Sequence, residues 1–312
     1  MRPARLSLLD LAVGDTTAGR YSARVREFSD WLGVAGVKVR KLKQLDDCLL
    51  DYFQEEFEFG FGRGRARMEQ TLSAVVHHWP RCKKSLPLAR RALTGWRKAV
   101  PSKSWPPLSW KLAVAIAVKL ASYGQWRMAV AVLLGFDALL RCGELLALVR
   151  EDVAVAADQR MDSEFEGMGL RLRKTKTGAN QFVMVEREPV QGLLADLLAE
   201  TRPGERLFPF SASSLRKSFK RAAAELGLAD SGYVLHSLRH GCATSLHVRG
   251  VPMADILLRG RWMGTKSATR YVQSGKALLL SLSVPSAVAA LAEELLLDVR
   301  ANLHLARLAA AA

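Results

Sequence analysis

The chain has 312 residues, 49% of them hydrophobic, which is enough for a sizeable core and too many for a disordered protein. Forty-six Lys and Arg against thirty Asp and Glu leave a net charge of +16, which argues for a polyanionic partner. Four scattered cysteines with no C-x-x-C pair argue against a disulfide scaffold or zinc ribbon, and no apolar run reads as a secretory signal or a membrane span.

Helical periodicity dominates the chain. After an arm over residues 1–15, Thr16-Thr17 is placed to cap a helix with Tyr21, Val25, Phe28 and Trp31-Leu32 on one face. A second pattern runs through Leu45, Leu49, Leu50, Tyr52 and Phe53. The Gly-rich piece Phe59 to Gly64 reads as a turn. Helical spacing resumes through Met68, Leu72, Val75 and Val76, and again from Leu88 to Trp96. Residues 16–103 therefore read as an all-helical bundle. From Gln70 to Phe136 the chain has no Asp or Glu and eleven Lys or Arg. Within that window Arg81, Lys83, Lys84, Arg90, Arg91, Arg97, Lys98 and Lys103 are the candidate phosphate contacts.

Pro101, Pro106 and Pro107 mark a linker into a second domain, residues 104–283. Helices are expected from about Trp110 to Ser122 and from about Gln125 to Leu139, ending on Arg141. Leu170 and Leu172 alternate with Arg171 and Arg173. Lys176-Thr177-Gly178-Ala179-Asn180 is turn chemistry, and Phe182 to Val185 is a β-prone partner, so this region reads as a hairpin. Helices return from Val190, from about Ser213 and from His236. The tail, 284–312, lacks Gly, and Val288, Leu291, Leu295, Val299 and Leu303 form an apolar helical stripe. That stripe would dock on its own domain or on a neighbouring protomer. The fold class is mainly α with a small β-hairpin.

Four pieces carry chemistry. In His236-Ser237-Leu238-Arg239-His240 the charged residues sit at i, i+3 and i+4 and share a helix face. Alone, this is equally a solvated basic face. Two His at i, i+4 also resemble half a zinc motif, but Ser237 stands where the acid belongs, so metal binding is rejected. Arg141-Cys142-Gly143-Glu144 between apolar stretches suggests a partly buried arginine with a nearby acid, or an ordinary ion pair at a helix boundary. Lys174 and Lys176 crown the hairpin. Gly260-Arg261-Trp262 is followed, nine residues after the tryptophan, by Tyr271, in a helix that Thr265 is placed to cap.

Taken in order, Arg-x-x-Glu, hairpin Lys-Thr-Gly, His-x-Leu-Arg-His and Gly-x-Trp with a following Tyr resemble the tyrosine recombinase (phage integrase) family over residues 110 to 275. The preceding bundle resembles that family's core-binding domain. The resemblance implies a core-binding domain and a mixed α/β catalytic domain clamped on double-stranded DNA, with a homotetramer on paired sites and no membrane. It makes Tyr271 the nucleophile and Arg141 and Arg239 the phosphate-stabilising pair. Lys176 becomes the general acid, with Lys174 as the alternative. His236 becomes the general base, Glu144 a supporting acid, and Trp262 an N–H donor where most members carry histidine. Two departures stand out: Trp262 cannot move protons, and Asp137 to Leu140 lack the glycine common there.

The implied reaction is site-specific cutting and rejoining of DNA through a 3′-phosphotyrosyl intermediate, as in integration by a mobile element. No metal, ATP or other cofactor is expected. The alternatives are a type IB topoisomerase-like enzyme and a catalytically silent DNA-binding protein. The compartment follows the host: nucleus if eukaryotic, otherwise cytoplasm or nucleoid.

Overall fold

The computed structural model describes residues 12–101, 104–155, 167–175 and 178–312, without the side chains at 266 and 267. The chain divides into two compact units, Met1–Lys103 and Ser104–Ala312.

The first unit holds α1 (Asp15–Val34), α2 (Leu42–Phe59), α3 (Arg65–His78) and α4 (Pro87–Ala99). Its core is Phe28, Leu49, Phe53, Met68, Val75 and Trp96. The expected cap at Thr16-Thr17 is not the one used. Gly14 occupies the cap position, its carbonyl accepting from the Thr17 and Ala18 amides, and Asp15 places negative charge in the first turn. The Gly-rich turn follows from backbone need: Phe61, Gly62 and Gly64 all lie at positive φ.

The second unit is built around α5 (Trp110–Ala121) and α6 (Trp126–Asp137). Both are apolar on nearly every face and pack against each other at the centre, as an all-round hydrophobic helix must. A short α7 (Cys142–Ala147) follows α6. A three-stranded antiparallel sheet then forms from β1 (Val153–Val155), β2 (Met168–Thr175) and β3 (Gly178–Val185), in the order β1-β2-β3. The β2–β3 register runs from Met168↔Val185 to Thr175↔Gly178. Met168, Leu170 and Leu172 face inward while Arg171 and Arg173 face out, which is the period of two seen in the sequence.

Next come α8 (Glu188–Ala199), α9 (Ala212–Glu225), α10 (Leu235–Val248), α11 (Met253–Gly260), α12 (Thr265–Thr269) and α13 (Ser274–Leu282). The buried Asp137 carboxylate at the end of α6 accepts from the Glu186 and Arg187 amides at 2.8 and 3.2 Å, fixing the end of β3 to α6.

The tail is not one helix. It splits into α14 (Ser286–Leu295) and α15 (Val299–Ala309), because the Asp298 carboxylate caps α15 by accepting from the Ala301 amide at 2.9 Å. Ala292, Leu295, Val299 and Leu303 are buried against α5 and α8 of the same unit, while Leu291 is 40% exposed. Arg300 and His304 both pair with Asp196 on α8. Among the described residues, no single helix is long and apolar enough to cross a membrane.

Candidate active site

Three backbone corners build the site. At the first, α6 ends in a Schellman turn. The Leu140 amide donates to the Gly135 carbonyl and the Leu139 amide to the Phe136 carbonyl, with Leu139 at φ 50°. The sequence offers no glycine here, so a leucine takes the left-handed position at a cost of roughly 1–2 kcal/mol. That turn aims the Leu139 carbonyl into the site and starts α7 at Arg141.

The Glu144 carboxylate reaches back to accept from the Arg141 amide at 2.9 Å and pairs with Arg141 Nη1 at 2.5 Å. Glu144 is buried. Burial pushes its carboxyl up, but the hydrogen bonds from Arg141 and the charges of Arg261 and Arg141 outweigh this and hold it below the usual carboxylate range.

The second corner is α10. Gly241 lies against the backbone of Leu108, whose amide donates to the Ser237 carbonyl at 3.1 Å. This seats the helix so that His236, Arg239 and His240 share one face. Arg239 is fully buried and donates from its two terminal nitrogens to the Leu139 and Gly260 carbonyls. Its Nε is buried without a hydrogen-bond partner among the described residues, and its guanidinium lies 4.6 Å from the centre of the Trp262 ring. Burial, then the charges of Arg141 and Arg261, lower its pKa to about 10, which still leaves it charged at neutral pH.

The third corner ends α11. It is again a Schellman turn, Trp262 N to Leu257 O and Arg261 N to Leu258 O, with Arg261 at φ 54°. The indole of Trp262 folds over Gly260, where a Cβ would fall 1.9 Å from the ring. Trp262 Nε1 is buried and has no hydrogen-bond partner among the described residues.

Tyr271 does not lie within a helix as expected. Gly264 caps α12, Thr265 is its first residue, and the helix stops at Thr269, so Tyr271 sits in the turn beyond. Its amide donates to Ala268 O, and Thr244 Oγ1 donates to its carbonyl at 3.0 Å. The ring lies between His240, stacked at 4.5 Å and 29°, and Trp262 at 4.7 Å. The phenol oxygen is 3.2 Å from His236 Nε2.

Burial, then the charges of Arg239 and Arg141, hold His236 below the usual histidine range, so at neutral pH its ring is uncharged and can accept the phenol proton. His240 is pushed down to about 4, chiefly by burial, and its Nδ1 accepts from the Gln273 amide at 2.9 Å.

Of the expected site residues, Arg141, Glu144, His236, Arg239, Trp262 and Tyr271 come together. Lys176 lies outside the described residues, and Lys174 is exposed on β2. Arg81, Lys83, Lys84, Arg90, Arg91 and Lys98 are exposed on the 80–84 turn and α4 of the first unit, with no carboxylate partner among the described residues. Arg97 pairs with Glu69 at 2.9 Å, and Lys103 lies outside the described residues.

Sequence reasoning gave no role to Arg261 or to the Leu139 carbonyl, nor to the clasp of His240 and Gln273. The one available signal was an arginine at a helix-ending position that favours glycine.

No protein-family model matches the chain, and no curated protein matches it. Solved structures do. It is 14% identical to the XerH site-specific recombinase bound to a palindromic difH substrate, with a TM-score of 0.56 over 81% of this chain and 75% of that one. It is 14% identical to a lambda integrase dimer bound to a COC′ core site, with a TM-score of 0.57 over 86% and 74%. The integrase of transposon Tn1549, in complex with circular intermediate DNA, is 12% identical, with a TM-score of 0.52 over 84% and 98%. At these identities the likeness is one of fold, and the fold is that of the tyrosine recombinases.

Proposed function

We propose that the chain is a DNA strand transferase of the tyrosine recombinase type, which cuts and rejoins double-stranded DNA through a 3′-phosphotyrosyl bond. The observation that carries the reading is the Tyr271 phenol, 3.2 Å from the His236 imidazole and beside the buried Arg239. Arg141, Arg239 and Arg261 surround a single carboxylate, Glu144, so this group of four has two cations in excess. Burying unmatched positive charge is costly unless an anion completes the site. A backbone phosphate is such an anion.

In this reading Tyr271 Oη attacks the phosphorus while its proton passes to His236 Nε2. The bond from phosphorus to the 5′-oxygen breaks, and Lys176 supplies the proton to that oxygen. Arg141 and Arg239 stabilise the non-bridging oxygens, each as a planar, charged donor, and the Trp262 N–H, unpartnered among the described residues, adds a third contact. A 5′-hydroxyl from another strand reverses the step, so rejoining consumes no ATP. The exposed cations of the first unit add sequence-independent contacts to phosphates. Joining two DNA sites calls for a homo-oligomer, and a tetramer gives one nucleophile per strand.

The test is covalent capture on a pool of randomised, nicked duplexes, from which the cleaved 5′-end fragment diffuses away. Wild-type protein should give a denaturant-resistant adduct and Tyr271→Phe none. Adduct formation undiminished in Tyr271→Phe, or absent from wild type across the pool, refutes the reading.

A further inference from the structure

We propose that Arg261 is a positioning residue that seats both phosphate-facing arginines and balances Glu144, so that Arg141 keeps its charge for the anion. This deepens the phosphoryl-transfer reading and rests on it. Three observations converge. First, Arg261 occupies a left-handed position, φ 54°, where a side chain is disfavoured. Its side chain is nonetheless only 6% exposed, so its contacts must repay both strain and desolvation.

Second, those contacts reach the seats of both arginines. Arg261 Nη2 donates to Glu144 Oε2 at 3.0 Å and to the Leu139 carbonyl at 3.0 Å, and Nη1 donates to the Arg259 carbonyl at 3.2 Å. Glu144 holds Arg141, and the Leu139 carbonyl holds Arg239. Arg261 thus joins the corner at the end of α6 to the corner at the end of α11, alongside Arg239, which donates to the Leu139 and Gly260 carbonyls.

Third, Arg261 relieves Arg141 of the Glu144 charge. Glu144 is 2.5 Å from Arg141 Nη1. With no other partner, that carboxylate would cancel Arg141 as a phosphate ligand. Shared between two guanidiniums, it orients Arg141 and leaves net positive charge at the site. A lysine at 261 would carry the charge but lacks the planar fork that spans a carboxylate and a carbonyl together.

The test uses full-length Arg261→Ala, Arg261→Gln, Arg261→Lys, Glu144→Gln and the double variant Arg261→Gln/Glu144→Gln. Each is titrated with orthovanadate by calorimetry and assayed for adduct formation on the nicked duplex pool. Arg261→Gln keeps most of the volume and serves where the alanine variant does not fold. Orthovanadate affinity should fall about tenfold or more in Arg261→Gln, and Arg261→Lys should recover part of the loss, given the usual worth of a preorganised charged donor. In the Glu144→Gln background the same arginine substitution should cost less than threefold, because the charge it offsets is gone.

Unchanged affinity in Arg261→Gln, an equal loss in both backgrounds, or a wild type that binds no orthovanadate overturns the proposal. A wild type that binds orthovanadate with this coupling but forms no Tyr271-dependent adduct leaves the proposal standing and removes the phosphoryl-transfer reading instead.

Discussion

Replacing Gly241 by alanine tests the seat of α10, which carries His236 and Arg239. A Cβ built at Gly241 falls 1.7 Å from the Leu108 carbonyl oxygen, 2.8 Å from its carbon and 3.0 Å from its nitrogen. All three are backbone atoms, so no rotamer change relieves the clash. Leu108 is also fully buried and hydrogen-bonded to Ser237. Ordinary contact begins at 3.4 Å, so α10 and the segment before α5 must separate by 1.7 Å. Overpacking of this kind costs about 1–3 kcal/mol, and losing the Leu108–Ser237 hydrogen bond adds about 1 kcal/mol. Alanine returns about 1 kcal/mol of helix propensity, leaving a net loss of about 1–3 kcal/mol. For a unit of this size, at about 2–4 °C per kcal/mol, that lowers the melting temperature by about 2–12 °C. The displacement also pulls His236 away from Tyr271, and a 1 Å misplacement costs about 10²-fold in rate. Differential scanning calorimetry of the full chain, with adduct formation on the same sample, measures both. An unchanged or raised melting temperature for the second unit would refute the close approach of α10 to Leu108.

Other consequences follow from the same geometry. His240 is depressed to about 4, so between about 6.5 and about 4 the unfolded chain binds a proton that the folded chain does not. Its contribution to stability is complete above 6.5 and is lost as the pH falls through that window. His240→Asn should flatten the pH dependence of the melting temperature there, and an unaltered slope would contradict the burial of this ring. Glu144→Ala leaves Arg141 and Arg261 facing each other without their carboxylate, and should destabilise the second unit by about 3–5 kcal/mol in chemical denaturation. Lys83→Ala/Lys84→Ala should reduce the slope of log affinity against log salt for duplex DNA by about 1.8, at 0.9 per lost phosphate contact, in fluorescence anisotropy. A slope equal to wild type would remove these lysines from the DNA interface.

The elements that the sequence revealed are those with strong periodicity or strong backbone preference. The apolar faces of α5 and α6 and the alternation on β2 follow directly from burial on one or both sides. What stayed hidden was decided by tertiary contact. β1 is three residues long and becomes a strand only by pairing with β2. The tail stripe kept helical spacing across a break that one capping aspartate, Asp298, imposes. The resemblance to the tyrosine recombinases singles out Tyr271, but its place beyond a five-residue helix is not legible, because α12 carries no stop signal before it. The two left-handed residues, Leu139 and Arg261, could not be read locally. Neither is glycine, and their conformations hold because the Leu139 carbonyl and the Arg261 side chain meet in the same buried network.

The most direct measurement is the chemical identity of the protein–DNA bond. Trypsin cleaves after Arg270 and after Lys276, releasing a six-residue peptide, Tyr271 to Lys276. Mass spectrometry of the adduct after nuclease digestion should find a nucleotide 3′-phosphate on the tyrosine of that peptide. A bond mapped to any other residue, or a cleaved strand carrying no protein, would contradict the account.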